Sequence, residues 1–189
     1  MTAGVPSGRV APRVVLVGPP GAGKSSVAAQ LGALLALPVR DTDADVETAA
    51  GKPITEIFVD DGEPAFRALE RAAVLAALAE HEGVLALGGG AVLDPDVQAA
   101  LEAYRAAGGT VAFLDVSLSA AAPRVGFNRS RPLLLGNPRA QWQALMEARR
   151  PVYEAVASVR VDTDGRTPAQ VAEQVVAGLT GTGPGTGGR

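Results

Sequence analysis

The chain has 189 residues, 47% of them hydrophobic and 20% charged, with a formal net charge of −3 at pH 7. That length and balance describe one folded globular domain rather than a disordered chain. With no cysteine and one histidine, His81, disulfides, iron–sulfur clusters, thiolate zinc sites and two-histidine sites are excluded; no apolar run reaches the roughly 18 residues of a membrane span, and the charge gives no broad basic face for nucleic acid or an anionic membrane.

Residues 1–12 hold Gly4, Pro6, Gly8 and Pro12 but no apolar signal core, and read as a flexible extension of a cytoplasmic protein. Arg13 to Val17 (RVVLV) predicts a buried strand. A Gly/Pro-rich turn, Gly18 to Gly23, leads into a helix over Ser25 to Leu35. Pro38 to Asp41 predicts a second strand and Asp43 to Ala50 a helix stopped by Gly51 and Pro53, with a short helix over Ile54 to Val59. Leucines, alanines and charges at helical spacing run from Glu63 to Glu80. His81, at that helix end, reads as a surface residue. Val84 to Leu87 predicts a third strand, ending at Gly88-Gly89-Gly90. Asp94-Pro95 caps a helix to about Ala107, and Thr110 to Asp115 predicts a fourth strand. Ser117 caps a short helix that Pro123 is expected to interrupt. Asn137-Pro138 starts another helix, in which Trp142 is expected to pack. Ser158 to Val161 predicts a fifth strand, and Thr167-Pro168 caps a last helix to about Leu179.

Strands alternating with helices predict an α/β fold with a parallel sheet. One domain is expected over residues 13–179, with the polar segment 126–139 as a mobile lid. Residues 180–189 read as a flexible Gly-rich tail.

Gly18-Pro-Pro-Gly-Ala-Gly-Lys24-Ser25 fits the phosphate-loop pattern G-x-x-x-x-G-K-[ST], between a predicted strand and helix. Glycines let backbone N–H groups converge on phosphate oxygens, and the helix start adds unpaired donors and its positive dipole end. Lys24 can reach the β- and γ-phosphates and the Ser25 hydroxyl can ligate Mg²⁺. The chain has 15 arginines and only two lysines, Lys24 and Lys52, so a lysine kept in this motif is informative. No N-K-x-D run for reading guanine follows. A kinase of small molecules or nucleotides fits this size best.

Acceptor candidates lie at the other strand ends, where an open parallel sheet binds ligands. Alternation would put Asp41 and Asp43 on one side, Asp41 supporting Mg²⁺ and Asp43 orienting a substrate hydroxyl or taking its proton. The same aspartates also suit a helix N-cap cluster. Gly88, Gly89 and Gly90 suggest close backbone approach to a ligand. Arg67, Arg149 and Arg150 offer bidentate carboxylate binding, and Arg124, Arg129 and Arg131 cluster near the lid. Asp115 has the pattern of a Walker B carboxylate.

With these motifs in this order, residues 13–179 resemble the shikimate kinases. The matching runs are GPPGAGKSS (18–26), DTD (41–43), IFVDDGEPAFRALE (57–70), LGGGAV (87–92), RSRPLL (129–134) and RRPVY (149–153). The resemblance implies a three-layer α/β/α P-loop fold with a five-stranded parallel sheet of order 2-3-1-4-5, and transfer of the ATP γ-phosphate to the 3-hydroxyl of shikimate in aromatic amino-acid biosynthesis. It implies that Asp43 holds the shikimate hydroxyls, that Arg67 and Arg149 grip its carboxylate, and that Gly88, Gly89 and Gly90 contact the ring substituents. Lys24 and the lid residue Arg131 would stabilise the transferring phosphoryl group. Gly21, Ala22, Gly23, Lys24, Ser25 and Ser26 would cradle ATP, with Arg124 and the Pro168 region flanking the adenine, and Ser25 and Asp41 serving Mg²⁺. A monomer is expected.

Two departures stand out. Pro123 should disturb the helix carrying Arg124, and a one-residue slip would give the role of Arg149 to Arg150. Gluconate kinase and adenylate kinase are alternatives within this fold; a nucleotide-binding module without turnover is one outside enzymes.

Overall fold

Four apolar residues in a row, Val14–Val17, leave no polar face for solvent, and the strand they form (β1) is buried along its whole length. It is the middle strand of a sheet ordered β2-β3-β1-β4-β5 in a computed structural model that describes residues 10–125 and 137–180. The other strands are β2 (Val39–Asp41), β3 (Val84–Ala86), β4 (Val111–Asp115) and β5 (Val159–Asp162). Every pairing is parallel: Leu16 sits opposite Ala86 and Ala112, Asp41 opposite Ala86, and Asp115 opposite Asp162. Parallel neighbours need crossover helices, and these bury the central strands on both faces.

The helices are α1 (Lys24–Leu35), α2 (Thr42–Ala50), α3 (Ile54–Asp60), α4 (Glu63–Glu80), α5 (Pro95–Ala106), α6 (Leu118–Val125), α7 (Pro138–Val156) and α8 (Pro168–Thr180). Helix α1 packs with α8, while α4 meets α5 and α5 meets α7. The main core joins the strands to α1, α5, α7 and α8 through residues such as Leu31, Leu85, Leu101, Phe113 and Tyr153. A smaller cluster of Val46, Ile57 and Phe66 binds α2, α3 and the first turns of α4 into a side lobe. That lobe lies beyond the end of β2 and carries one wall of the site.

The predicted order of elements and the predicted sheet order are both present. One expectation fails at α6. Pro123 lies inside that helix, which continues to Val125, because a proline near the end of a short helix removes one N–H donor without breaking the turns before it. Ser117 does cap α6, its Oγ accepting from the Ala120 N–H at 3.3 Å. His81 is half-buried rather than on the surface; its Nε2 lies 3.1 Å from the Val84 carbonyl oxygen and ties the α4–β3 turn. Among the described residues no helix is long and apolar enough to cross a membrane. Residues 1–9 of the expected extension, most of the lid segment with Arg129 and Arg131, and residues 181–189 of the expected tail fall outside the described residues. Pro12, expected in the extension, is buried and its carbonyl accepts from Tyr104 Oη at 2.8 Å, and Thr180 ends α8.

Candidate active site

The C-terminal ends of β1, β2, β3 and β4 lie side by side, and each opens into one of the motifs read from the sequence. After β1 comes the phosphate loop. Pro19 and Pro20 have no N–H and the Ala22 N–H donates to Pro19 O at 3.2 Å, so the donors open to a phosphate after the prolines are those of Gly21 and of Gly23 to Ser26. Gly23 has φ 84°, a left-handed conformation that glycine tolerates, and α1 begins at the next residue. Four successive loop carbonyls are each held by a side chain. Lys24 Nζ donates to Gly18 O (2.8 Å) and Pro19 O (3.2 Å). Trp142 Nε1 donates to Pro20 O (3.1 Å) and Arg124 Nη1 to Gly21 O (3.3 Å). The loop is thus shaped from outside its own motif, by α6 and α7.

The metal candidates meet. Ser25 Oγ donates to Asp41 Oδ2 at 2.8 Å, and Asp41 Oδ1 accepts from the Asp43 N–H at 3.0 Å. Asp41 thus caps α2 with one oxygen and faces the phosphate loop with the other. The alternation argument for Asp43 does not hold, because Asp43 lies in the first turn of α2 rather than in an extended strand. Among the described residues no three His, Cys, Asp or Glu side chains gather into a metal cage. One hydroxyl and one carboxylate fit Mg²⁺, which takes few protein oxygens and shares the rest of its shell with phosphates and water.

The acceptor side is a cluster of charge at the ends of β2 and β3. The Gly88 N–H donates to the buried Thr42 Oγ1 at 3.0 Å, tying the GGG turn to the start of α2. A β-carbon on Gly88 would lie 2.6 Å from Asp43 Oδ1 and 2.7 Å from Glu70 Oε1, and one on Gly90 would collide with the Arg67 guanidinium. A side chain at either position would have to push aside these carboxylate and guanidinium ends. Arg67 Nη1 donates to Glu70 Oε2 at 2.6 Å, while its Nε and Nη2 reach Glu63 Oε1 at 3.3 and 3.2 Å. Glu70 is only 3% exposed. Burial pushes its carboxyl above the usual range and the Asp43 charge adds to the rise, while Arg67 and Arg149 pull it down. Glu70 thus lies within electrostatic reach of one further carboxylate, Asp43, and two guanidinium groups, Arg67 and Arg149.

Helix α7 separates the two arginines that the sequence left undecided. Arg150 turns to Asp115, with Nη1 and Nη2 at 2.7 and 2.9 Å from its two oxygens, and Arg160 Nη2 adds a third bond at 2.5 Å. Burial raises the Asp115 pKa, but Arg150 and Arg160 outweigh that and hold the carboxyl below its ordinary range. Both oxygens of Asp115 are committed to guanidinium groups, so the Walker B reading fails. Arg149 lies on the acceptor side instead: burial pushes up the pKa of the Tyr153 phenol and of Glu70, and the Arg149 charge lowers both. Tyr153 is fully buried, lies with its ring 5.2 Å from that of Phe113, and donates to the Gly89 carbonyl at 2.5 Å.

Of the residues expected to flank the adenine, Arg124 sits near the end of α6 and Pro168 begins α8. The Ser117 N–H donates to Asp164 Oδ1 at 2.9 Å, drawing the loop before α8 to the start of α6. Thr167 and Gln170 cap α8 reciprocally, at 2.9 and 3.3 Å.

Sequence reasoning missed Glu70, Tyr153 and the loop contact of Trp142. Glu70 had a readable signal. The buried stripe of α4 is Phe66, Glu70, Val74 and Ala77, and a glutamate on an apolar stripe is rare unless paired. Trp142 does pack its helix, as expected, but nothing local shows that its N–H reaches Pro20, 122 residues away.

A phosphate loop at the end of the middle strand, with a charged acceptor cluster at the adjoining strand ends, defines a P-loop kinase of small molecules. A family model for shikimate kinase matches residues 20–180. The shikimate kinase of Streptomyces avermitilis is 55% identical over 168 residues, covering 89% of this chain and 95% of that protein. That of Streptomyces coelicolor is 56% identical, covering 86% of this chain and 92% of its own. Among solved structures, the shikimate kinase of Acinetobacter baumannii in complex with shikimate superposes with a TM-score of 0.81 at 30% identity, covering 88% of this chain and 91% of that one. A gluconokinase from Sinorhizobium meliloti shares the fold, with a TM-score of 0.57 at 24% identity, covering 92% and 94%. The chain belongs to the shikimate kinase family.

Proposed function

We propose that this protein transfers the γ-phosphate of MgATP to the 3-hydroxyl of shikimate, giving shikimate 3-phosphate and ADP, a step of aromatic amino-acid biosynthesis. The observation that carries the reading is the acceptor cluster itself: Asp43, Arg67, Glu70 and Arg149 beside Gly88–Gly90, at strand ends adjoining the phosphate loop. A small polyol anion needs cations for its carboxylate and a carboxylate for its hydroxyls, and this cluster has both.

Phosphoryl transfer passes through a loose transition state, so the protein acts by positioning and charge stabilisation. In this reading Asp43 holds the 3-hydroxyl and accepts its proton as the oxygen attacks. Arg67 and Arg149 grip the carboxylate, Arg67 being aimed by Glu63 and Glu70 before substrate arrives. The backbone of Gly88, Gly89 and Gly90 lines the ring. Gly21 and Gly23 to Ser26 supply N–H donors to the phosphates. Lys24 leaves its loop carbonyls for the β- and γ-phosphates, and Arg131 from the lid segment 126–139 joins it at the transferring group. Ser25 and Asp41 would hold Mg²⁺, which supplies charge neutralisation between the phosphates when bound. Arg124 and Pro168 flank the adenine.

The domain is taken to span residues 13–179, in a cytoplasmic monomer with no nucleic-acid or membrane partner. Phosphorus NMR of a reaction with MgATP and shikimate tests the reading. A new phosphomonoester on the 3-oxygen is the expected product; ATP consumption without any phosphorylated shikimate would refute it.

A further inference from the structure

The phosphate loop and the acceptor loop touch. A β-carbon on Gly89 would lie 3.3 Å from Pro20 Cδ and 3.6 Å from Gly18 O, so the acceptor turn passes close to the phosphate loop at this junction. The carbonyls of both junction residues are held by one helix. Trp142 Nε1 donates to Pro20 O at 3.1 Å, and Tyr153 Oη donates to Gly89 O at 2.5 Å. The two donors are 11 residues apart on α7, roughly 16 Å along its axis, and both are at most 3% exposed. Neither bond is needed to build the helix. Trp142, Met146, Tyr153 and Val156 form its buried stripe, and phenylalanine would serve the same packing at either aromatic position. Two aromatic polar tips, each set on the backbone of a different substrate loop, are a positioning device.

We propose that Trp142 and Tyr153 are positioning residues for the transfer, with α7 as a strut that fixes the phosphate-donor loop against the acceptor loop. Tyr153 acts at the acceptor end. It orients the Gly89 carbonyl and, one helical turn from Arg149, also meets that guanidinium. Trp142 acts at the donor end by setting the Pro20 turn of the phosphate loop. Because in-line transfer is steep in geometry, loosening either end reduces the rate even where the substrates still bind. The inference rests on the shikimate kinase reading above.

The test is steady-state kinetics, both substrates varied, on the wild type, Tyr153→Phe, Trp142→Phe and the double variant, with melting temperatures alongside. Losing a donor to a buried carbonyl is expected to reduce turnover about tenfold. Tyr153→Phe should also raise the shikimate KM while the ATP KM stays within about twofold; Trp142→Phe should show the reverse. In the double variant the kcat losses should be less than multiplicative, since both bonds serve one alignment. Folded variants with wild-type kinetics would overturn the proposal, as would equal losses on both substrates in Tyr153→Phe. If Tyr153→Phe does not fold, unchanged ATP KM and kcat in a folded Trp142→Phe overturns it by itself. A wild type that shows no shikimate-dependent turnover would instead remove the functional reading beneath it.

Discussion

The donor and acceptor sides of this site are built differently. The donor side is a contiguous loop whose working groups are backbone amides, with one lysine and one serine from the motif itself. The acceptor side is a side-chain cluster drawn from α2, α4, α7 and the turn after β3, and its members are up to 106 residues apart, from Asp43 to Arg149. Backbone geometry leaves a signature in consecutive residues, because only certain types permit the turn. A cluster of charges leaves one only where each member breaks a local pattern. Hence the two sides should fail differently when mutated, the donor side through ATP and the acceptor side through shikimate.

The largest effect should come from Lys24→Ala, which removes the motif's only side-chain cation. We expect turnover to fall on the order of 10³-fold, with shikimate binding retained by calorimetry. Near-normal turnover would detach the loop from the reaction. On the acceptor side Asp43→Asn should reduce kcat by about 10² to 10⁴ and leave ATP affinity unchanged. An equal loss of ATP binding would move Asp43 to the metal side and blur the division.

Arg67→Ala should weaken shikimate by about 2–4 kcal/mol, since it removes charge-assisted bonds and leaves the buried Glu70 without its partner. An unchanged shikimate KM would break the acceptor assignment. The neighbouring arginines sharpen the contrast. Arg149→Ala should raise the shikimate KM, whereas Arg150→Ala should lower the melting temperature with little effect on KM.

The smallest effect is on stability. The Asp115 carboxyl is held below its usual pKa by Arg150 and Arg160. Its stabilisation is therefore present above the ordinary aspartate range and is lost as pH falls through the depressed value. Asp115→Asn should cost about 2 kcal/mol at neutral pH, discounted because both arginines are partly exposed, and should flatten the acid limb of a melting-temperature profile. An unchanged acid limb would show that the triad is not coupled to folding.

Legibility followed the same division. The alternation of short apolar strands with capped helices was enough for a parallel sheet, because each β-run and each cap is local; the strand order came from the resemblance to the shikimate kinases, since crossover order is not written in local residues. Gly18 to Ser25 was readable for the same reason. Asp43 joins the cluster at Gly88 from a helix turn, not from the strand alternation that the sequence suggested. Arg149 and Arg150 fall at i+3 and i+4 from Met146, on either flank of the buried stripe, so spacing alone cannot choose between them; Asp115, fixed by β4, makes the choice. Pro123 misled because its cost depends on where it stands in the helix. Glu70 was visible as a charge on an apolar stripe. The Trp142 and Tyr153 contacts depend on how α7 is docked, which no neighbouring residue encodes.

The most direct test of the account is ADP release from MgATP, measured with shikimate, gluconate, AMP or no acceptor. The account predicts release that depends on shikimate, with the other three near background. Release supported by gluconate or AMP, with shikimate at background, would keep the fold and the phosphate loop but contradict the acceptor site built from Asp43, Arg67, Glu70 and Arg149.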